Sequence, residues 1–222
     1  MPEHIVKILM TEFVTHNVKR YIVEKPAGYT FKPGQATMVG INKEKWIKEK
    51  RPFTFTSLNE DLILEFVIKS YFDHDGTTKA LFDLQPGDEL VIEDPWGTIE
   101  YKGQGIFLAG GAGVTPFIAI LRQLNKENKI SGNILFFSNR LVKDIILEKE
   151  FKNMLKDDLI LNVTDEEADG YEHTLFTEEY LKKHINDFNQ HFYVCGPSKF
   201  NKEIMNILKK LGAEVESLVF EE

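Results

Sequence analysis

Ile106-Phe107-Leu108-Ala109-Gly110-Gly111-Ala112-Gly113-Val114-Thr115-Pro116 is the stretch on which the fold turns. An apolar run closed by glycines predicts a buried strand followed by a tight turn. Thr115 and Pro116 read as the cap and first residue of a helix, because a proline there gives up an N–H that has no helical partner. Strand, glycine turn and helix N-terminus in succession make an anion site. Backbone N–H groups converge on it, and glycine lets a pyrophosphate come close. The same residues also suit a plain strand-to-helix turn, so the neighbouring segments decide between the two readings.

On the C-terminal side, strands and helices alternate. Strands are expected at 105–109, 132–138, 159–164, 191–195 and 214–219, and helices at 115–126, 145–155, 177–184 and 198–211. Such spacing predicts a parallel sheet with helices on both faces. The N-terminal side is written differently. Short runs rich in β-branched and aromatic residues, such as Tyr21-Ile22-Val23, Ala36-Thr37-Met38-Val39 and Leu62 to Ile68, are separated by turns such as Lys32-Pro33-Gly34, Pro86-Gly87-Asp88 and Asp94-Pro95-Trp96-Gly97. This punctuation predicts a sandwich or barrel, interrupted by one helix around Thr77 to Asp83. The chain therefore divides into a β domain, 1–102, and an α/β parallel-sheet domain, 103–222, joined near Tyr101-Lys102-Gly103-Gln104. A ligand is expected between them, at the C-terminal ends of the parallel strands.

The bulk properties narrow the function. A net charge of −8 argues against nonspecific nucleic-acid binding. No apolar run approaches the roughly 18 residues of a membrane span, and Met1-Pro2-Glu3-His4 carries no signal pattern, so a cytoplasmic protein is expected. The one cysteine, Cys195, excludes an internal disulfide and a self-contained four-cysteine iron–sulfur cluster, and no metal site is expected.

Three motifs fall in order along the chain. Arg51-Pro52-Phe53-Thr54-Phe55-Thr56-Ser57 sets a fixed cation, aromatics and hydroxyls on an extended segment. Arginine suits phosphate through its bidentate fork. Strand alternation places Arg51, Phe53, Phe55 and Ser57 on one face and Thr54 and Thr56 on the other. The glycine turn is the second motif. The third, Tyr193-Val194-Cys195-Gly196-Pro197-Ser198-Lys199-Phe200, is again strand, turn and helix.

Taken together, the order and spacing of these motifs resemble the ferredoxin–NADP reductase superfamily of flavin reductases, over nearly the whole chain. The resemblance implies an antiparallel Greek-key β-barrel that binds the flavin, followed by the α/β domain that binds NAD(P). It implies that Arg51 holds the flavin pyrophosphate, that Pro52 is among the cofactor-binding residues, that Phe53 lies against the ring, and that Thr54 sits near flavin N5 with Ser57 supporting the strand. Phe53 stands where the family usually has Tyr, which keeps the apolar face and loses a hydroxyl. Ile68 and Lys69 would lend backbone atoms to the ring edge. Gly76, Thr77 and Thr78 resemble the turn that cradles the FAD diphosphate, which favours FAD over FMN; read from the residues alone, Thr77 or Thr78 is a helix N-cap. Gly111, Gly113, Thr115 and Pro116 would bind the nicotinamide nucleotide, with Cys195, Gly196 and Pro197 closing over it.

Thr54, Cys195 and Glu216 are the residues expected to shape hydride transfer, although Leu218 stands where relatives carry an aromatic after that glutamate. The co-substrate is NADPH or NADH: Arg140 could pair a 2′-phosphate, while the Lys-Asp-Ile-Ile-Leu run from Lys143 resembles NADH-using relatives. Lys43, Lys45, Lys48, Lys50 and Arg51 could steer an acidic ferredoxin or flavodoxin, or be a solvated loop. The expected function is transfer of electrons from NAD(P)H through FAD to such a separate acceptor. A non-catalytic subunit of a larger complex, or a free-flavin or ferric reductase, are the alternatives.

Overall fold

The computed structural model describes residues 2–97 and 99–213. Six strands, β1 (Glu3–Thr15), β2 (Val18–Glu24), β3 (Ala36–Ile41), β4 (Arg51–Thr54), β5 (Ile63–Lys69) and β6 (Glu89–Glu93), form an antiparallel sheet in the order β4-β3-β6-β1-β2-β5. The sheet curls until its two ends meet. Past the end of β4, the Thr56 N–H donates to the Glu65 carbonyl of β5 at 2.9 Å, which nearly closes a barrel. Phe55 is fully buried inside it and stacks on Phe31 with ring centroids 4.2 Å apart. Helix α1 (Thr77–Phe82) lies between β5 and β6 in sequence. The buried Lys19 ammonium donates to the carbonyls of Phe82 and Leu84, both at 2.9 Å, and so satisfies the end of this helix.

The second half is β7 (Gly105–Gly110), α2 (Thr115–Lys126), β8 (Ile134–Asn139), α3 (Glu148–Leu155), β9 (Leu159–Val163), α4 (Glu178–His184), β10 (His191–Cys195) and α5 (Ser198–Lys210). Its strands make a parallel sheet in the order β10-β7-β8-β9. Strand alternation explains the two helical layers. Phe107 and Ala109 face Phe117, Leu121 and Phe151 of α2 and α3, whereas Ile106 and Leu108 face Leu181, Ile204 and Leu208 of α4 and α5. Val18 and Val67 of the barrel share a core with Phe117 and Ile145 of the second half. Burial of each valine stabilises that contact by about 1.5–3 kcal/mol, so the two halves pack as one body.

Three expectations need correction. Val114, not Thr115, is the cap residue of α2: Gly111–Val114 form a 3₁₀ turn that runs straight into the helix, and Thr115 Oγ1 donates to the Ala112 carbonyl at 3.0 Å. Gly76 caps α1; Thr77 is its first helical residue and donates through Oγ1 to the Glu49 carbonyl at 2.7 Å, while Thr78 Oγ1 accepts from the Tyr71 N–H at 3.4 Å. Extended alternation along the first motif ends at Thr54, because β4 stops there and Phe55 turns into the barrel core. The strand expected at 214–219 lies outside the described residues.

Candidate functional site

The C-terminal ends of β7 and β10 face the barrel across a cleft of about 300 Å³. The barrel wall presents Pro52, Phe53, Thr54, Ile68 and Lys69, and the opposite wall presents Gly113, Thr115, Cys195, Gly196 and Pro197. Sequence elements more than a hundred residues apart thus converge on one space, and every one of these residues is among those expected from the motifs. Gly111 and Pro116 complete the turn behind the second wall. Gly111 sits at φ +54°, a conformation that favours glycine, and Pro116 is buried in the first turn of α2.

Thr54 is the most informative residue of the barrel wall. Its side chain is buried, and among the described residues Oγ1 has no hydrogen-bond partner. A buried hydroxyl left unpaired costs about 1–3 kcal/mol, so this one is suited to a polar ligand atom in the cleft. Thr54→Val tests that reading, since it keeps the shape and deletes the orphan. The expected result in flavin-free protein is a melting temperature higher by about 2–4 °C. A fall in melting temperature would mean that the hydroxyl is satisfied in solution without a ligand.

A second cavity of about 560 Å³ continues from the first, sharing Pro52, Phe53, Tyr71 and Thr78 with it. Arg51, Gly76 and Thr77 line this extension. The Arg51 side chain is 55% exposed; it donates to the Lys50 carbonyl at 2.9 Å and stands 3.9 Å from Glu49, which leaves most of its fork available to an anion. Tyr71, Trp46 and His74 also line the extension, and sequence reading missed them. No local pattern marks them, because they come from loops placed only by the tertiary fold.

Other expected residues lie elsewhere. Ser57 is buried in the barrel seam, where its hydroxyl accepts from the Glu65 N–H at 3.0 Å; it braces the strand rather than lining the cleft. Arg140 lines neither cavity. It extends from the tip of β8 and pairs with Asp165 at 2.7 Å. The guanidinium holds the Asp165 carboxyl below the usual carboxylate range, so that carboxylate is ionised at neutral pH. Beside Arg140, Asn139 is buried, and among the described residues both polar atoms of its carboxamide lack a hydrogen-bond partner. Glu216 lies outside the described residues. In the basic cluster Lys43, Lys45 and Lys48 are exposed and Lys50 is half-buried: Lys50 is tied to Glu3 at 2.5 Å and Glu93 at 2.6 Å, Lys43 pairs with Asp88 at 2.9 Å, and the Lys45 ammonium lies 4.5 Å from the Trp46 ring centroid. No helix among the described residues is long and apolar enough to cross a membrane.

Comparison with known proteins matches both halves. An oxidoreductase FAD-binding domain matches residues 6–101, and an oxidoreductase NAD-binding domain matches residues 107–205. Among curated proteins, one subunit of the Na(+)-translocating NADH-quinone reductase of Psychrobacter cryohalolentis is 31% identical over 163 residues, covering 64% of this chain and 38% of the relative. The corresponding protein of Idiomarina loihiensis is 28% identical over 160 residues, with the same 64% and 38% coverage. The matched region thus spans 38% of the length of these relatives. Among solved structures, the flavohem-like FAD/NAD binding domain of nitric oxide dioxygenase from Vibrio cholerae superimposes with a TM-score of 0.85 at 20% identity, covering 98% of this chain and 97% of that one. A ferredoxin NADP+ reductase from Neisseria gonorrhoeae with bound FAD and NADP also gives 0.85, at 18% identity, covering 97% and 94%. These structures share the fold, a nearly closed antiparallel barrel followed by a parallel α/β sheet.

Proposed function

The chain belongs to the ferredoxin–NADP reductase superfamily and carries that superfamily's FAD-binding and NAD-binding domains; from this premise we propose that it oxidises NADH and passes the electrons to a separate redox carrier of the ferredoxin or flavodoxin kind. The observation that carries the proposal is the cleft in which the unpaired Thr54 hydroxyl shares one space with the Cys195-Gly196-Pro197 turn. Bound FAD supplies the redox chemistry, as an acceptor of hydride and a donor of electrons. The chain supplies binding and orientation. Arg51, Pro52, Phe53, Thr54, Ile68, Lys69, Gly76, Thr77 and Thr78 hold the flavin, with Ser57 bracing the strand behind them. Gly111, Gly113, Thr115, Pro116, Cys195, Gly196 and Pro197 hold the nicotinamide nucleotide. We take the flavin half to end at residue 102, and we place the reaction in the cytoplasm.

The preference for NADH rests on Arg140. Its guanidinium already has a partner in Asp165, and a 2′-phosphate there would meet an ionised carboxylate. A free ribose hydroxyl can instead donate to Asp165. Asp165→Asn should therefore shift the ratio of kcat/KM for NADH over NADPH toward NADPH by roughly tenfold. An unchanged ratio would remove Arg140 and Asp165 from nucleotide choice. Because Asp165 is held below the ordinary carboxylate range, the wild-type ratio should stay flat across neutral pH and decline only in acid, as the carboxylate gains its proton.

A second reading is favoured by the curated relatives, which are parts of a multi-subunit enzyme and of which this chain matches 38%. On that reading the chain is the electron-input part of a larger assembly. Reduction of ferredoxin or flavodoxin by the isolated protein supports the first reading. Turnover with artificial acceptors alone supports the second.

A further inference from the structure

The last residues of the flavin motif do not face the cleft, and what they face joins the two halves. Arg122, two turns into α2, lies in the interface with its side chain 18% exposed. Its Nε and Nη2 grip Glu150 of α3 at 2.5 and 3.0 Å. That bidentate hold fixes the plane of the guanidinium. Its Nη1 then crosses to the barrel, donating to the Thr56 carbonyl at 2.6 Å and to the Glu65 carboxylate at 2.7 Å. Glu65 is itself tied to the motif: Thr56 Oγ1 donates to it at 2.8 Å, and its own N–H donates to Ser57 at 3.0 Å. Arg20 stands 3.7 Å from the other Glu65 oxygen and adds a second cation.

We propose that Arg122 is a positioning residue that sets the separation of the two cleft walls by locking helix α2 of the nucleotide half to Thr56 and Glu65 of the barrel. The mechanical path is short on both sides. Thr56 is two residues from Thr54, and α2 is a rigid rod of about 1.5 Å per residue leading back to the glycine turn. The apolar contact of Val18 and Val67 with the second half is nondirectional and holds the halves together. The guanidinium, with four directional bonds among three acceptor groups, fixes their angle. Burial disfavours the charge, yet its pKa is raised, because Glu150 and Glu65 more than compensate.

This inference rests on the proposed oxidation of NADH in the cleft, and its test separates the two. In FAD-loaded Arg122→Met, flavin content should stay at the wild-type level while anaerobic flavin bleaching at saturating NADH slows by about 10- to 100-fold, because an error of about 1 Å in the approach costs that much. The NADH concentration for half-maximal rate should change far less, and Arg122→Lys should restore part of the rate. In flavin-free Arg122→Met, amide hydrogen exchange should accelerate over 54–58 and 110–116 but not in β1 and β2. Bleaching within twofold of wild type, together with unchanged exchange in both segments, would overturn the proposal. If Arg122→Met does not accumulate as folded protein, Glu150→Gln, which loosens the grip without touching the barrel, decides by the same two readings. A wild type that fails to bleach would instead defeat the proposed function and leave the exchange result to judge the clamp.

Discussion

Gly113→Ala should leave a yellow protein that no longer responds to nicotinamide nucleotide. A Cβ built on Gly113 would lie 2.2 Å from the Cys195 carbonyl oxygen, 2.4 Å from its carbon and 2.5 Å from the Gly196 nitrogen. All three atoms are backbone, so no rotamer change relieves the clash. Either the glycine turn or the end of β10 must move, and both line the same wall of the cleft. Overpacking of this kind costs about 1–3 kcal/mol of stability, which the fold can absorb. The catalytic loss should be larger. If that wall orients the nicotinamide as proposed, a shift of about 1 Å slows hydride transfer by about 100-fold or more. The barrel, which holds the flavin, is not touched. The checks are flavin stoichiometry by absorbance and anaerobic bleaching by stopped flow. Loss of flavin together with bleaching would mean that the two halves do not bind independently.

The second large effect is expected at Arg51. Replacing it with Gln should raise the dissociation constant for FAD by roughly 10- to 100-fold, the loss of one or two charge-assisted bonds of about 1.5–3 kcal/mol each with partial compensation. Arg51→Lys should recover only part of this, because an ammonium is a point charge without the planar fork. Arg51 contributes little to the empty fold, since its side chain is 55% exposed and its polar side-chain contacts among the described residues are one backbone carbonyl and a glutamate 3.9 Å away. Flavin-free wild type and Arg51→Gln should therefore melt together. They should diverge only when FAD is added, because ligand that binds the folded state alone raises its stability. Calorimetry with and without FAD measures both parts. Equal FAD-induced shifts would move the diphosphate site away from Arg51.

The parts of the fold that were legible in the sequence are those whose signal is local. Phe107 and Ala109 alternate with Ile106 and Leu108, and the structure sends the two pairs to opposite helical layers. The glycine turn carries its own backbone requirement at Gly111 and Gly113. Strand β1 was not legible: its register slips between Ile8 and Met10 and again between Phe13 and Thr15, and Ile5, Leu9, Met10 and Phe13 point outward, so the alternating pattern is broken. Residues whose partners are far away in the chain are hard to read for the same reason. Sequence alone leaves Lys50 in either a steering patch or a solvated loop, and only the fold brings Glu3 and Glu93 to it. Ser57 braces its strand, in keeping with the supporting role that the resemblance implies, and Thr56 serves the seam and the Arg122 network, whose partners on β5 and α2 no local pattern announces. Tyr71, Trp46 and His74 line the second cavity from loops that carry no periodic signal.

The most direct test of the account is an anaerobic titration of the FAD-reconstituted protein with NADH, followed by flavin absorbance. Facing walls built from Thr54 on one side and the Cys195-Gly196-Pro197 turn on the other predict one tightly held FAD per chain, bleached in full by one equivalent of NADH. A protein that takes up no flavin, or that stays yellow under excess NADH and NADPH, would contradict it.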